Sequence, residues 1–190
     1  MTAALPPGFY DRPVLEVARE LLGCVVTSGD VAGVIVETEA YHESEPACHA
    51  FRGRTAVNAD LFGPPGSAYV YRSYGLHTLL NAVCEADGVG AAVLIRAITP
   101  VTGLDVVAGR RAPQARPQWT NGPGKVGAAL GLTLAHSGTS LQRGPVRIAA
   151  GSHDAALVRS GPRIGISKAV ELPWRFALAG AADVSSPRLR

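Results

Sequence analysis

The chain has 190 residues, enough for one sizeable core and too few for two independent domains. Its 47% hydrophobic and 17% charged residues suit a globular protein, and no apolar run approaches the ~20 residues that a membrane-spanning helix needs. A formal charge of +3 with a pI near 9.0 is modest beside the basic faces of non-specific phosphate binders. Even so, Arg52, Arg54, Arg72, Arg96, Arg110, Arg111 and Arg116 recur, often beside Gly or Pro, as in loops facing a polyanion or on a solvated surface.

Asp11-Arg12-Pro13, followed by Val14, Leu15, Ala18, Leu21 and Leu22 at helical spacing, predicts a capped helix with Pro in its first turn, ended by Gly23. Cys24 to Thr27 and Val31 to Tyr41 flank Ser28-Gly29-Asp30 and predict a hairpin. Along the second strand the period of two puts Glu37, Glu39 and Tyr41 on one face, crowding two like charges and a ring at the end of a run that should be buried. Stability alone does not favour such a placement. His42 to Pro65 is polar and rich in Arg, Gly and Pro, and predicts a long ordered loop of the kind that carries function.

Tyr69 to Ser73 and Leu76 to Cys84 predict two strands meeting at Tyr74-Gly75. Tyr74 would project from the tip, either packed by a neighbouring loop or made to enter something outside the protein. Of the five tyrosines, four lie between positions 41 and 74, enough rings to stack a flat ligand beside a candidate general base. Ala91 to Ile98 is an apolar strand interrupted by Arg96, which needs a partner if it points inward. Glu39 is the candidate, and a plain buried ion pair is the alternative to a catalytic one.

Asp105 to Arg111 predicts a short helix and Ala112 to Thr120 a basic loop. Asn121-Gly122-Pro123-Gly124-Lys125 opens a helix running through Leu130 whose free N–H groups could hold a phosphate, although capping explains Asn121 equally well. Val146 to Ala149, Ile164 to Ile166 and Arg175 to Leu178 are predicted strands, and Pro187 to Arg190 a frayed tail. Cys24, Cys48 and Cys84 are odd in number and widely spaced, which predicts free thiols in a reducing compartment. The opening Thr2 to Gly8 lacks the basic start and apolar core of a secretion signal, so a cytoplasmic location is expected. Cys48 beside His49 invites a metal, yet no zinc-ligand spacing is present; neither a metal nor another cofactor is expected.

Glu37-Thr38-Glu39-Ala40-Tyr41, His49-Ala50-Phe51-Arg52-Gly53-Arg54-Thr55, Phe62-Gly63-Pro64-Pro65-Gly66, Tyr69-Val70-Tyr71, Tyr74-Gly75, Asn81, Arg96 and Asn121-Gly122-Pro123, in this order, resemble the alkyladenine (3-methyladenine or methylpurine) DNA glycosylase family from about Phe9 to Leu178. The resemblance implies an α+β fold: one DNA glycosylase domain over 1–190, ordered from about 9 to 180, with a curved antiparallel sheet, flanking helices and a protruding β-hairpin. It implies a monofunctional base-excision-repair enzyme that flips 3-methyladenine, 7-methylguanine, hypoxanthine or ethenoadenine out of double-stranded DNA and hydrolyses the N-glycosidic bond. By this likeness Glu39 is the general base and Arg96 helps hold the water, as does the main-chain carbonyl near Ile164. Tyr41, His49 and Tyr71 surround the base, Asn81 discriminates among purines, and Tyr74 wedges into the minor groove. Arg52, Arg54, Arg72 and Lys125 are the expected DNA contacts of a nucleoid-associated monomer. Ala56, Val57 and Asp60 depart from the family pattern, and Asp60 would repel a phosphate it faced.

Two rivals share these residues. One is a catalytically inactive nucleic-acid-binding domain of the same fold, and the other a hydrolase of free nucleosides, against which the exposed tip and the basic loops argue.

Overall fold

The two longest apolar runs of the chain become its two twelve-residue strands. In the computed structural model, which describes residues 3–189, these are β2 (Val31–His42) and β5 (Ala91–Thr102), paired side by side at the centre of a single sheet. β1 (Val25–Ser28) forms the expected hairpin with β2 and pairs on its other side with β6 (Val146–Ala149). β3 (Ala68–Ser73) and β4 (His77–Val83) form the second hairpin, joined to the sheet through β5. β7 (Val158–Gly161) pairs with β8 (Arg175–Leu178), which lies against β2 beyond the end of β1. All these pairings are antiparallel, and together with four α-helices among the described residues they make the mixed α/β class that the motifs imply.

The helices α1 (Pro7–Tyr10), α2 (Val14–Glu20), α3 (Leu104–Arg111) and α4 (Pro123–Leu130) are short. Burial, rather than propensity, therefore stabilises them: α2 and α4 pack on the sheet, α3 chiefly on α4 and α1 on α2. Val14, Val17, Ala18, Leu21 and Leu22 join Ile35, Ala40, Val93, Ile95 and Ile98 in the main core. α4 packs on β4 through Gly127, where a Cβ would lie 1.9 Å from the Thr78 carbonyl oxygen.

Several expectations need correction. Asp11 does not cap α2: Pro13 occupies the cap position without a side-chain acceptor, and the Val14 N–H donates instead to Glu85 Oε1 at 2.9 Å, from the β4–β5 turn. Gly122 rather than Asn121 precedes α4, and the Asn121 side chain accepts from Lys125 Nζ at 2.7 Å. Ile164 to Ile166 is not a strand. Pro162 has no N–H to give a ladder, Gly165 takes a φ of +79°, and the preceding strand stops at Gly161. The tail is held rather than frayed, since the carbonyl of exposed Pro187 accepts from Arg175 Nη1 at 3.0 Å and Leu189 packs against Val36 and its neighbours; Arg190 lies outside the described residues.

The feature that positions the site is a pair of bulges. Ile35 faces Ile98, Glu37 faces Ala97 and Thr38 faces Ile95, so Val36 on β2 and Arg96 on β5 are each an extra residue. Ile35 stays in the main core, and Thr38 stays on that side too, its hydroxyl donating to the Ala18 carbonyl of α2 at 2.7 Å. Val36, Glu37, Glu39 and Tyr41 turn to the opposite face, where Arg96 and Ala97 meet them. An unbroken period of two would have put Ile35 on the charged face.

Candidate active site

The face opposite the main core carries a cleft of about 650 Å³. Tyr41 from β2, Tyr71 from β3, Asn81 from β4 and Arg96 from β5 form its walls. His49 closes one side from the β2–β3 loop, and Ile164 to Lys168 close the other. The rings support one another. His49 meets Tyr71 edge-on, 4.6 Å between centroids, Tyr69 stacks on Tyr71 at 5.4 Å, and His49 Nδ1 lies 3.2 Å from the Tyr69 hydroxyl. Burial pulls the His49 pKa below its ordinary value, so the imidazole is neutral at pH 7, with one donor and one acceptor nitrogen. The Asn81 amide Nδ2 donates to the Tyr69 carbonyl at 3.0 Å, which fixes the orientation of that side chain.

Glu39 is fully buried and lies behind the cleft wall rather than on its surface. Its Oε1 accepts from the Ile164 N–H at 2.7 Å. Its Oε2 accepts from the Tyr41 hydroxyl at 2.8 Å and faces Arg96 Nη1 at 3.2 Å. All three of these covering residues line the cleft. Burial raises the Glu39 pKa, opposed in order by Arg96, the Ile164 N–H and the Tyr41 hydroxyl. At Ile164 the interaction seen with the carboxylate is made by the amide.

Tyr74 and Arg72 stand on the rim at the β3–β4 hairpin. Three residues, Tyr74 to Leu76, join the strands: the Leu76 N–H donates to the Ser73 carbonyl at 3.0 Å, closing a turn with φ of +50° at Tyr74 and +69° at Gly75, the primed geometry that matches strand twist. Tyr74 is 88% exposed, so no neighbouring loop packs it. Arg52 and Arg54 are exposed on the β2–β3 loop, outside the cleft lining. Asn58 organises that loop, donating to the carbonyls of His49 and Gly53 and accepting from the N–H and hydroxyl of Thr55. Lys125 is also set apart from the cleft, its ammonium held by Gln118 and Asn121.

One residue of the site left no signal in the sequence. Arg163 has a fully buried side chain, makes a bidentate pair with Glu45 at 2.7 and 2.9 Å, and places its guanidinium 4.6 Å from the centre of the Tyr41 ring. Its partner lies 118 positions away in the chain, with no shared pattern to announce it. The cysteines are free and buried, and burial pushes the Cys48 thiol up to about 12 although it lines the cleft. Among the described residues no group of three His, Cys, Asp or Glu side chains could hold a metal ion, and no helix is long and apolar enough to cross a membrane.

Comparison with known proteins agrees with this architecture. Residues 8–182 match the family model described as methylpurine-DNA glycosylase (MPG). A protein of Rhodopseudomonas palustris (strain BisB18) is 50% identical over 183 residues, covering 96% of this chain and 91% of the relative. One of Bradyrhizobium diazoefficiens is 49% identical with the same coverage, and one of Methanoculleus marisnigri is 45% identical over 95% of this chain and 98% of its own. All three are named as candidate 3-methyladenine DNA glycosylases. Matched over nearly its whole length, the chain belongs to the methylpurine-DNA glycosylase family of DNA repair enzymes.

Proposed function

We propose that the protein everts a damaged purine from double-stranded DNA into the cleft beside Tyr41 and Tyr71 and releases it by hydrolysis, with Glu39 as the general base. The observation that carries this reading is the Glu39 carboxylate, held by Arg96, the Ile164 N–H and the Tyr41 hydroxyl immediately behind a wall of rings. Extrusion costs a few kcal/mol of stacking. Tyr74 is suited to fill the gap left in the duplex, and a base stacked on Tyr41 or Tyr71 regains roughly 1–3 kcal/mol.

In this mechanism a purine sliding against Tyr41 draws its hydroxyl away from Glu39 Oε2, and water takes the vacated acceptor. The water oxygen bonds to the sugar carbon while Glu39 takes its proton and the glycosidic pair departs with the base. A base alkylated on a ring nitrogen, such as 3-methyladenine or 7-methylguanine, carries a positive charge and leaves neutral. Hypoxanthine and ethenoadenine are the neutral members of the expected substrate set. Glu39 must be ionised to act, and Arg96 opposes the protonation that burial favours. His49 and Asn81 meet the edges of the base. Arg52, Arg54, Arg72 and Lys125 meet phosphates, and the enzyme works as a monomer in the cytoplasm, on the nucleoid.

Glu39→Gln tests the reading: base release from duplexes carrying one defined lesion should fall to background while DNA binding persists. Release by the variant at the wild-type rate would end it, and no release by either form would favour an inactive DNA-binding domain. The reaction is monofunctional, with no covalent intermediate. Lys168, an amine on the cleft lining, makes borohydride trapping a decisive check, since a trapped adduct would refute direct hydrolysis.

A further inference from the structure

Behind Glu39 lies a second carboxylate that the proposed mechanism leaves unused. Glu37 is buried two residues earlier on the same face of β2, and it is held by the C-terminal segment. The Ser185 N–H donates to Glu37 Oε2 at 2.7 Å and the Ser185 hydroxyl to Oε1 at 2.8 Å. Arg175 Nη1 donates to the same Oε1 at 3.1 Å and also to the Pro187 carbonyl. Arg96 spans both acids, with Nη1 3.2 Å from Glu39, Nε 3.7 Å from Glu37, and Nη2 donating to the Ser185 hydroxyl at 3.3 Å.

Two buried carboxylates and two buried guanidiniums thus form one group. Such a group tolerates no loose member, because an unpaired charge in a low dielectric is expensive. Glu37 takes its hydrogen bonds from Ser185 and Arg175, which leaves the Nη1 of Arg96 free to serve Glu39. Nε of Arg96 has no hydrogen-bond acceptor among the described residues, so charge from Glu37 and the bond to Ser185 restrain the far side of the guanidinium.

Resting on the reading of Glu39 as the base, we infer that Glu37 and Ser185 are positioning residues. Anchored by the C-terminal segment, they aim Arg96 at Glu39 and set the charge around it. The groups facing Glu39 are Glu37 and Tyr41 on β2, Tyr71 on β3, Arg96 on β5, Arg163 in the β7–β8 loop and Arg175 on β8. Removing the Glu37 charge leaves two guanidiniums against one carboxylate. Ionised Glu39 is then favoured, its basicity falls, and the acid limb of the reaction moves to lower pH.

The test is single-turnover release of the purine that the wild type excises fastest, measured across pH with DNA affinity alongside. Glu37→Gln should slow release about tenfold or more and move the acid limb down by roughly one pH unit, with DNA affinity unchanged. Gln turns an amide N–H toward one of the donors that Glu37 now accepts, so Ser185→Ala carries the test if that variant does not fold. Ser185→Ala keeps every charge, and should slow release several-fold with the acid limb in place, while Ser185→Thr, which keeps the hydroxyl, restores the rate. Wild-type rates and limbs in both variants would overturn the inference, as would a loss of activity that only tracks a loss of DNA binding or of folded protein. Full activity in Glu39→Gln would instead overturn the parent reading, so the two failures are distinct.

Discussion

Tyr74→Gly separates what the hairpin tip does for the fold from what it does for the reaction. With the ring 88% exposed, about 25 Å² of a side chain that can bury roughly 200 Å² is hidden, a loss of about 0.6 kcal/mol on truncation. Against this, a φ of +50° costs a residue with a Cβ about 1–2 kcal/mol, which glycine relieves. The extra freedom of glycine in the unfolded chain takes back about 0.5–1 kcal/mol. The sum lies within about 1 kcal/mol of zero, so the melting temperature should move by no more than about 4 °C in a chain of this size. Excision should suffer far more. A wedge worth about 1–3 kcal/mol corresponds to a fall of roughly 5- to 150-fold in single-turnover release from duplex DNA. The same lesion in single-stranded DNA needs no eversion from a stack and should show a much smaller loss. A melting temperature lowered by about 10 °C or more would mean that Tyr74 is structural, and equal losses on both substrates would refute the wedge.

Glu45→Gln should destabilise the protein by about 3–5 kcal/mol in urea titrations by stranding the buried Arg163 charge, and adding Arg163→Met should recover most of that loss. An additive double mutant would show that the pair is not coupled. Because Glu39 must be ionised and its pKa is raised by burial, base release should decline as pH falls through a value above the ordinary glutamate range near ~4.3. A pH–rate profile flat down to pH 4 would contradict the assignment of the base. Asn58→Ala removes the contacts that join His49, Gly53 and Thr55, and should cost about 2 kcal/mol of stability. It should also weaken DNA binding by loosening the loop that carries Arg52 and Arg54, which fluorescence anisotropy against salt would detect as a shallower dependence if phosphate contacts are lost.

The features legible in the chain were those with local causes. The apolar run from Val31 to Tyr41 beside the Ser28-Gly29-Asp30 turn announced β2, and the residue pair Tyr74-Gly75 announced a tight turn with a ring at its tip. An arginine inside the apolar run of β5 announced a buried partner, and that partner includes Glu39. The clustering of tyrosines announced a ring-lined site, because Tyr69 and Tyr71, two apart on one strand, share a face, and Tyr41 meets them at the cleft from β2.

Other features depended on residues far apart in the chain meeting in space. The bulges at Val36 and Arg96 shift each strand by one residue, enough to change a side chain's face while leaving composition and period almost untouched. Glu85 caps α2 from 71 positions away, Arg163 reaches Glu45 across 118, and Ser185 reaches Glu37 across 148. No periodicity links such pairs. The sequence alone therefore determined which groups and which strands this protein has, since backbone preference and side-chain period act over a few residues. Only the tertiary structure decided that Glu39 lies sealed behind Tyr41, that Arg163 underlies that ring, and that the C-terminal segment closes around Glu37. Burial and charge pairing are properties of what surrounds a group in three dimensions, and those surroundings come from every part of the chain.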